Sequence, residues 1–346
     1  MGGSLDLPFG LATSVGSLPA ADAEGAVRLA LSAQPAFPTV PTWGGVDSSL
    51  LAQAMEGLEG VSVEPPGLLR VDATLAAELD DDVQRAAAVG ERVDGASFEQ
   101  LHRFLATIDG VPSVGVRVGV LGPVTLALAL RAAGVAEVPA TTLAASLVRR
   151  RARALLGAVR AVLGEGVVFV CASEPGLIGA MHPTFPLTPT QVADLLDPFV
   201  HGLDEHPRAG DLLIGVHVPG RTDWETIVST GVSVISTPIE RGLVGAAGTL
   251  GSFLERGGRI VWGAVPVDQP LGTSEELLWR RLSALWCELV AEGLDPLTLR
   301  SRSLVGPADG LGHFGATQAQ RVLELTDSLS TRIRRQAVGA RLTLGA

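Results

Sequence analysis

Short apolar runs alternate with long amphipathic stretches along nearly the whole chain, and this alternation constrains the fold more than any other feature. An apolar run of roughly 4–8 residues bounded by Gly and Pro reads as a strand, and the amphipathic stretch that follows reads as a helical crossover. Eight such runs stand at 11–15, 36–40, 115–121, 166–171, 211–216, 232–236, 259–263 and 301–305. Helical stretches stand between them at 22–33, 141–163, 188–203, 246–256, 274–292 and 316–335. Thr188 with Gln191 three residues on has the spacing of a capping box. Eight strands joined by helical crossovers predict an α/β fold of the (β/α)8 TIM-barrel type, with a doubly wound sheet as the alternative. The stretch at 41–113 is long for one crossover. It predicts extra helices between strands 2 and 3, at 46–55, 73–89 and 98–108, with a short extended piece at 68–71. No low-complexity linker divides the chain, so residues 1–346 read as a single domain.

The chain has 346 residues and a formal net charge of −11, which argues against nucleic acid as a partner, because binding to phosphates needs basic surface. Lys, Asn and Tyr are absent, so no lysine Schiff base, Walker lysine or tyrosine acid is available. Cys171 and Cys287 are the only cysteines, which excludes a disulfide framework and a cysteine-rich metal site. Mean hydropathy is +0.35. Yet the charge-free apolar stretch at 118–130 is 13 residues long and broken by Gly122-Pro123, too short to span a bilayer. The first residues carry Asp6 and Pro8 and no basic cluster, so a cytoplasmic protein is expected.

In a parallel α/β architecture, chemistry sits where strands end at their C-terminal side. Strand 1 runs into Val15-Gly16-Ser17-Leu18-Pro19, strand 3 into Gly122-Pro123-Val124-Thr125 and strand 4 into Ser173-Glu174-Pro175. Strand 5 ends at His217 with Pro219 and Arg221 following, and strand 6 at Ser236-Thr237-Pro238. Strand 7 leads to Val267-Asp268-Gln269-Pro270, and strand 8 to Gly306-Pro307-Ala308-Asp309-Gly310-Leu311. Apolar strands ending in turns rich in Gly, Pro and polar groups predict a pocket, with Ser17, Glu174, His217, Asp268 and Asp309 on one rim. Glu174, at a strand end, is a candidate to grip an amino group or act as base, with a solvated loop carboxylate as the alternative.

These turns, in this order, resemble the catalytic barrel of cobalamin-independent methionine synthase and its short stand-alone relatives. That superfamily also includes uroporphyrinogen decarboxylase. The matching elements are Thr13-Ser14-Val15-Gly16-Ser17-Leu18-Pro19, Gly122-Pro123-Val124-Thr125-Leu126, Glu174-Pro175-Gly176-Leu177, His217-Val218-Pro219, Val234-Ile235-Ser236 and Gly306-Pro307-Ala308-Asp309-Gly310-Leu311. The resemblance implies methyl transfer from a folate to a thiol such as homocysteine, with zinc holding the thiolate. It implies an amino-acid subsite at Val15, Gly16, Ser17 and Glu174, and catalytic roles for Asp268 and Glu174. The family's zinc ligands come from a His-x-Cys pair, a Glu after the next strand and a Cys after the last strand. Their positions fall here on His217, Pro219, Pro238 and Asp309. Two prolines offer no donor, so of these metal positions only His217 and Asp309 remain. The family's Asp-x-His after strand 7 becomes Asp268-Gln269-Pro270, so the proton-handling His is also replaced. No bound cofactor is expected, zinc being implied by the resemblance alone.

Three function classes are compatible with these residues. One is a methyltransferase with an altered or absent metal. The second is a binder of a small ligand, an amino-acid thiol or a folate, in the old pocket. The third is a partner-binding protein with a vestigial pocket. Other features carry bland readings. Gly310-Leu311-Gly312-His313-Phe314-Gly315 has the G-x-G-x-x-G pattern but lacks the following strand and acid of a dinucleotide site. A bare phosphate or carboxylate site at the following helix is the other reading there. Arg149, Arg150, Arg151 and Arg153 read as a solvated helix, Cys171 as a buried thiol, and Asp80-Asp81-Asp82 as a helix start or solvated turn. His182 is within reach of the pocket from the loop after strand 4.

Overall fold

The structure, a computed structural model, describes residues 7–43, 45–203, 212–268 and 274–344. Asp6, Asp211, Gln269 and Pro270 lie outside the described residues. The chain opens with two-residue strands β1 (Ser17–Leu18) and β2 (Thr42–Trp43), which pair in parallel. A small antiparallel hairpin comes next, β3 (Val61–Glu64) with β4 (Leu68–Val71). The main sheet has six parallel strands lying side by side in chain order: β5 (Gly115–Leu121), β6 (Val167–Ser173), β7 (Leu212–His217), β8 (Val234–Pro238), β9 (Arg259–Val265) and β10 (Ser303–Pro307).

The closed eight-stranded barrel expected from the sequence is therefore corrected. The continuous ladder has six strands, and the runs at 11–15 and 36–40 form none of them. Each lies along one edge of the sheet with a single isolated bridge, Ala12 to Val305 and Thr39 to Arg117, and a few backbone hydrogen bonds around it, too few to extend the ladder. Between these two runs side chains stand in for a ladder. The Thr39 hydroxyl accepts from the Ser14 N–H at 3.2 Å and donates to the Ser14 carbonyl at 3.1 Å. Pro38 and Pro41 flank that threonine and have no N–H to offer, which keeps the second run from pairing as an ordinary strand.

Strand β6 shows why the six runs form a sheet. All but its last residue are buried, as expected of a parallel strand covered on both faces. Val168 and Val170 pack in the large cluster beneath the helices, whereas Phe169 and Cys171 join Leu11, Phe37, Leu213, Val261 and Leu304 on the opposite face. That second cluster draws on β6 to β10 and on the two flanking runs, so the sheet curls around it. The large cluster runs without a break from Leu18 to Ile333.

Two helices stand against the strand ends. Helix α6 (Pro123–Ala132) starts directly after β5, with Gly122 as its N-cap and Pro123 in its first turn. Helix α11 (Glu275–Ala291) comes after β9, with the Ser274 side chain capping the Leu277 N–H. The 41–113 stretch holds short helices and the hairpin, as expected, but the helix expected at 73–89 is broken. Asp82 ends one segment and caps the next by accepting from the Arg85 N–H. The arginine run also departs from expectation. Arg151 is buried, donates to the carbonyls of Arg92 and Glu56, and lies 5.0 Å from the Phe98 ring centre. Burial lowers its pKa to about 10. No helix among the described residues is long and apolar enough to cross a membrane.

Candidate functional site

The C-terminal ends of β7 to β10 surround a cleft of about 650 Å³, lined by Pro219, Pro238, Gly263, Asp268, Arg281 and Asp309 among others. Its floor depends on a glycine. A Cβ on Gly263 would stand 2.7 Å from Ala308 Cα and 3.0 Å from Pro238 Cα, so only glycine lets the three backbones meet there. One wall comes from α11, where Arg281, Ala284, Leu285 and Glu288 share a helix face at the i, i+3, i+4, i+7 spacing. Two arginines, Arg241 and Arg281, face four carboxylates in the lining, those of Glu240, Asp268, Glu288 and Asp309.

His217 closes β7 and is fully buried. Its Nδ1 lies 2.9 Å from Ser236 Oγ, and its Nε2 lies 3.4 Å from Asp309 Oδ1. Burial lowers the pKa of His217, opposed by its hydrogen bond with Asp309; the nearby Arg117 guanidinium pushes it lower. The neutral ring then donates from Nε2 to Asp309 and accepts the Ser236 hydroxyl at Nδ1. Asp309 is half-exposed in the cleft. Burial opposes its ionisation, but the hydrogen bond from His217, the Gly310 N–H at 2.7 Å and the charge of His313 outweigh that and hold its pKa below the usual range. Both of those hydrogen bonds fall on Oδ1, which leaves Oδ2 without a partner among the described residues.

Glu174 is fully buried, and its carboxylate faces helix α6. One oxygen accepts from the Val124 N–H at 2.9 Å; the other accepts from the Thr125 N–H at 2.7 Å and the Thr125 hydroxyl at 2.5 Å. The Thr125 hydroxyl in turn accepts from the Gly176 N–H at 3.0 Å, so its proton is committed to Glu174. Burial pushes the Glu174 pKa up to about 7, partly offset by these donors. The residue caps a helix fifty positions earlier in the chain. Neither oxygen is left to grip an amino group.

The remaining predicted residues gather at the same end of the sheet. Gly16 adopts φ +109°, and its carbonyl accepts from the Thr42 N–H at 2.9 Å. The Ser17 carbonyl accepts from the Leu311 N–H at 2.8 Å, and a Cβ on Gly310 would stand 2.8 Å from Ser17 Cβ. The Val15-Gly16-Ser17 turn is thus packed against the turn that carries Asp309. Asp268 is exposed on the cleft, and the Glu174 N–H donates to the His217 carbonyl at 2.8 Å. His182 bonds Thr184 in its own loop and is not among the residues lining the cleft.

The donor set does not fit zinc. Pro219 and Pro238 line the cleft where the resemblance would place two ligands, and they bring no donor atom. His217 has both nitrogens engaged in hydrogen bonds. Among the described residues, no group of three or more His, Cys, Asp or Glu could hold a metal ion.

Sequence reasoning missed Arg281, Glu288, Glu240 and Arg241; the helical spacing on α11 was a readable signal for the first two. It also missed Arg117, which is buried, donates to Cys171 Sγ at 3.2 Å and lies 5.0 Å from the Phe169 ring centre. No family model matches the sequence, and no curated protein matches it. Among solved structures, Old Yellow Enzyme from Pichia sp. AKU4542 aligns over 94% of this chain and 87% of its own, with a TM-score of 0.40 and 10% identity.

Proposed function

We propose that the protein binds a small organic molecule with a cationic or N–H-rich head group in the cleft, and that Asp309 receives that head. One observation carries the reading. Asp309 is half-exposed in a cleft with an excess of carboxylates, fixed through Oδ1 by His217 and the Gly310 N–H, with Oδ2 left over. A carboxylate held in place from behind is preorganised for a donor in front, which reduces the ordering cost of binding. The neutral state of His217 keeps the pair anionic. The formal excess of carboxylates over arginines in the lining favours a cation over an anion.

The amino-acid thiol and the folate implied by the sequence resemblance both carry N–H donors, and they enter this reading as ligands. Methyl transfer through a zinc-bound thiolate forms no part of it, because the donor set does not fit the metal. The test is ligand-observed NMR with the full chain and a panel of amines, amidines, amino-heteroaromatics, folates and carboxylates. Asp309→Asn is expected to weaken binding of the N–H-bearing members about tenfold or more, as befits a charge-assisted bond. Equal binding to wild type and Asp309→Asn, or binding by carboxylates alone, overturns the reading.

A further inference from the structure

We infer that Ile178 forms an apolar lip of the cleft and selects a ligand whose cationic head is joined to an apolar ring or chain. The inference rests on the assignment of Asp309 as head-group receptor and adds the other end of the molecule.

Ile178 is 50% exposed, yet the loop carrying it is firmly held. Leu177 N–H donates to the Glu174 carbonyl at 3.0 Å, Ile178 N–H to the Pro175 carbonyl at 3.1 Å, and Gly179 N–H to the Arg221 carbonyl at 3.0 Å. Leu177, one residue before, is fully buried. A large apolar side chain on a fixed turn gives up its contact with water at no ordering cost when a ligand covers it. Its position is set by Gly220, which lines the cleft; a Cβ there would lie 3.3 Å from Ile178 Cγ1 and 3.6 Å from Cδ1. The absence of a side chain at Gly220 therefore lets Ile178 pack directly against a residue that lines the cleft.

The adjoining wall continues the apolar surface through Pro219, Pro238 and Ile239, followed in the chain by Glu240 and Arg241. Asp309, Asp268 and Glu288 belong to the other elements, the ends of β9 and β10 and helix α11. A ligand reaching from Asp309 toward Gly220 thus passes from carboxylate to apolar surface, and 650 Å³ is ample for an aryl-alkyl amine. Isolated exposed apolar residues are common on protein surfaces. Ile178 differs in being carried on a hydrogen-bonded turn and packed against Gly220, which lines the cleft beside its apolar wall.

The experiment compares 2-phenylethylamine with ethylamine in NMR titrations of the full chain. The ring is expected to improve affinity about tenfold in wild type, the scale of partial burial of one ring. Ile178→Ser is expected to cut that preference below about threefold while leaving ethylamine binding unchanged; Ile178→Leu, which keeps the apolar surface, retains it. Asp309→Asn is expected to weaken both amines alike. If the ring preference survives in Ile178→Ser while Asp309→Asn still weakens both amines, the lip is wrong and the head-group reading stands. If Asp309→Asn changes neither amine, or wild type binds neither, the head-group reading falls, and the lip with it.

Discussion

Nε2 of His217 lies 3.4 Å from Oδ1 of Asp309, across 92 residues of chain and between the ends of two strands, β7 and β10, that are not neighbours in the sheet. The contact joins a fully buried imidazole to a half-exposed carboxylate. The buried ring remains neutral and the carboxylate ionised, so the negative charge is presented to the cleft.

His217 is expected to titrate below its ordinary value of 6.5, because burial disfavours the imidazolium. The unfolded chain then takes up the proton first as pH falls. This group's contribution to stability is full above pH 6.5 and declines as pH drops from there toward the folded pKa. Urea unfolding of wild type and His217→Gln at pH 7.5 and 5.5 checks the sign: the His217-dependent difference should shrink at the lower pH. A His217 ring that NMR shows to be protonated at pH 7 contradicts the assignment.

Glu174 should behave in the opposite sense. Its folded pKa of about 7 stands above the unfolded value near 4.5, so the native state binds the proton first. Its contribution to stability therefore rises as pH falls from 7 to 4.5, by up to about 3 kcal/mol. Glu174→Ala should abolish that rise. It should also destabilise the protein by about 2–4 kcal/mol, through the lost cap and the buried donors of Val124 and Thr125 left unpaired. Denaturant midpoints across that pH range, in wild type and variant, measure both effects.

Gly263→Ala should cost about 2 kcal/mol or more and remove ligand binding, because the new Cβ stands 2.7 Å from Ala308 Cα, a backbone atom with little freedom to yield. A variant with wild-type stability and wild-type amine affinity would show that the cleft floor is not built as described.

Zinc should neither stabilise nor load the protein. Elemental analysis after dialysis is expected to give well under one zinc per chain, and added zinc should leave the melting temperature within about 1 °C, since three protein ligands are the minimum for a lasting site. Methionine formation from homocysteine and methyl-folate, with or without zinc, is expected to be absent. Stoichiometric zinc or robust turnover lost in His217→Ala would overturn this.

Legibility in the sequence differs from element to element. The six sheet strands stood out because parallel strands buried on both faces read as apolar runs. The runs at 11–15 and 36–40 look the same in composition, yet neither forms a strand; Pro38, Pro41 and the side-chain bonds of Thr39 decide that, and composition does not show it. The meeting of Ser17, His217, Asp268 and Asp309 followed from strand direction alone. The target of Glu174 did not, because a Glu-Pro turn looks solvated until the chain brings the start of helix α6 against it. Arg151 was hidden for a related reason: its neighbours in the run are partly or fully exposed, and its acceptors are backbone carbonyls 59 and 95 residues away.

The most direct test of the central claim is a crystal structure of the protein with 2-phenylethylamine bound. The account predicts the ammonium nitrogen within about 2.7–3.2 Å of Asp309 Oδ2, with His217 still on Oδ1. An amine bound elsewhere, or one in the cleft whose nitrogen makes no contact with Asp309, would contradict it.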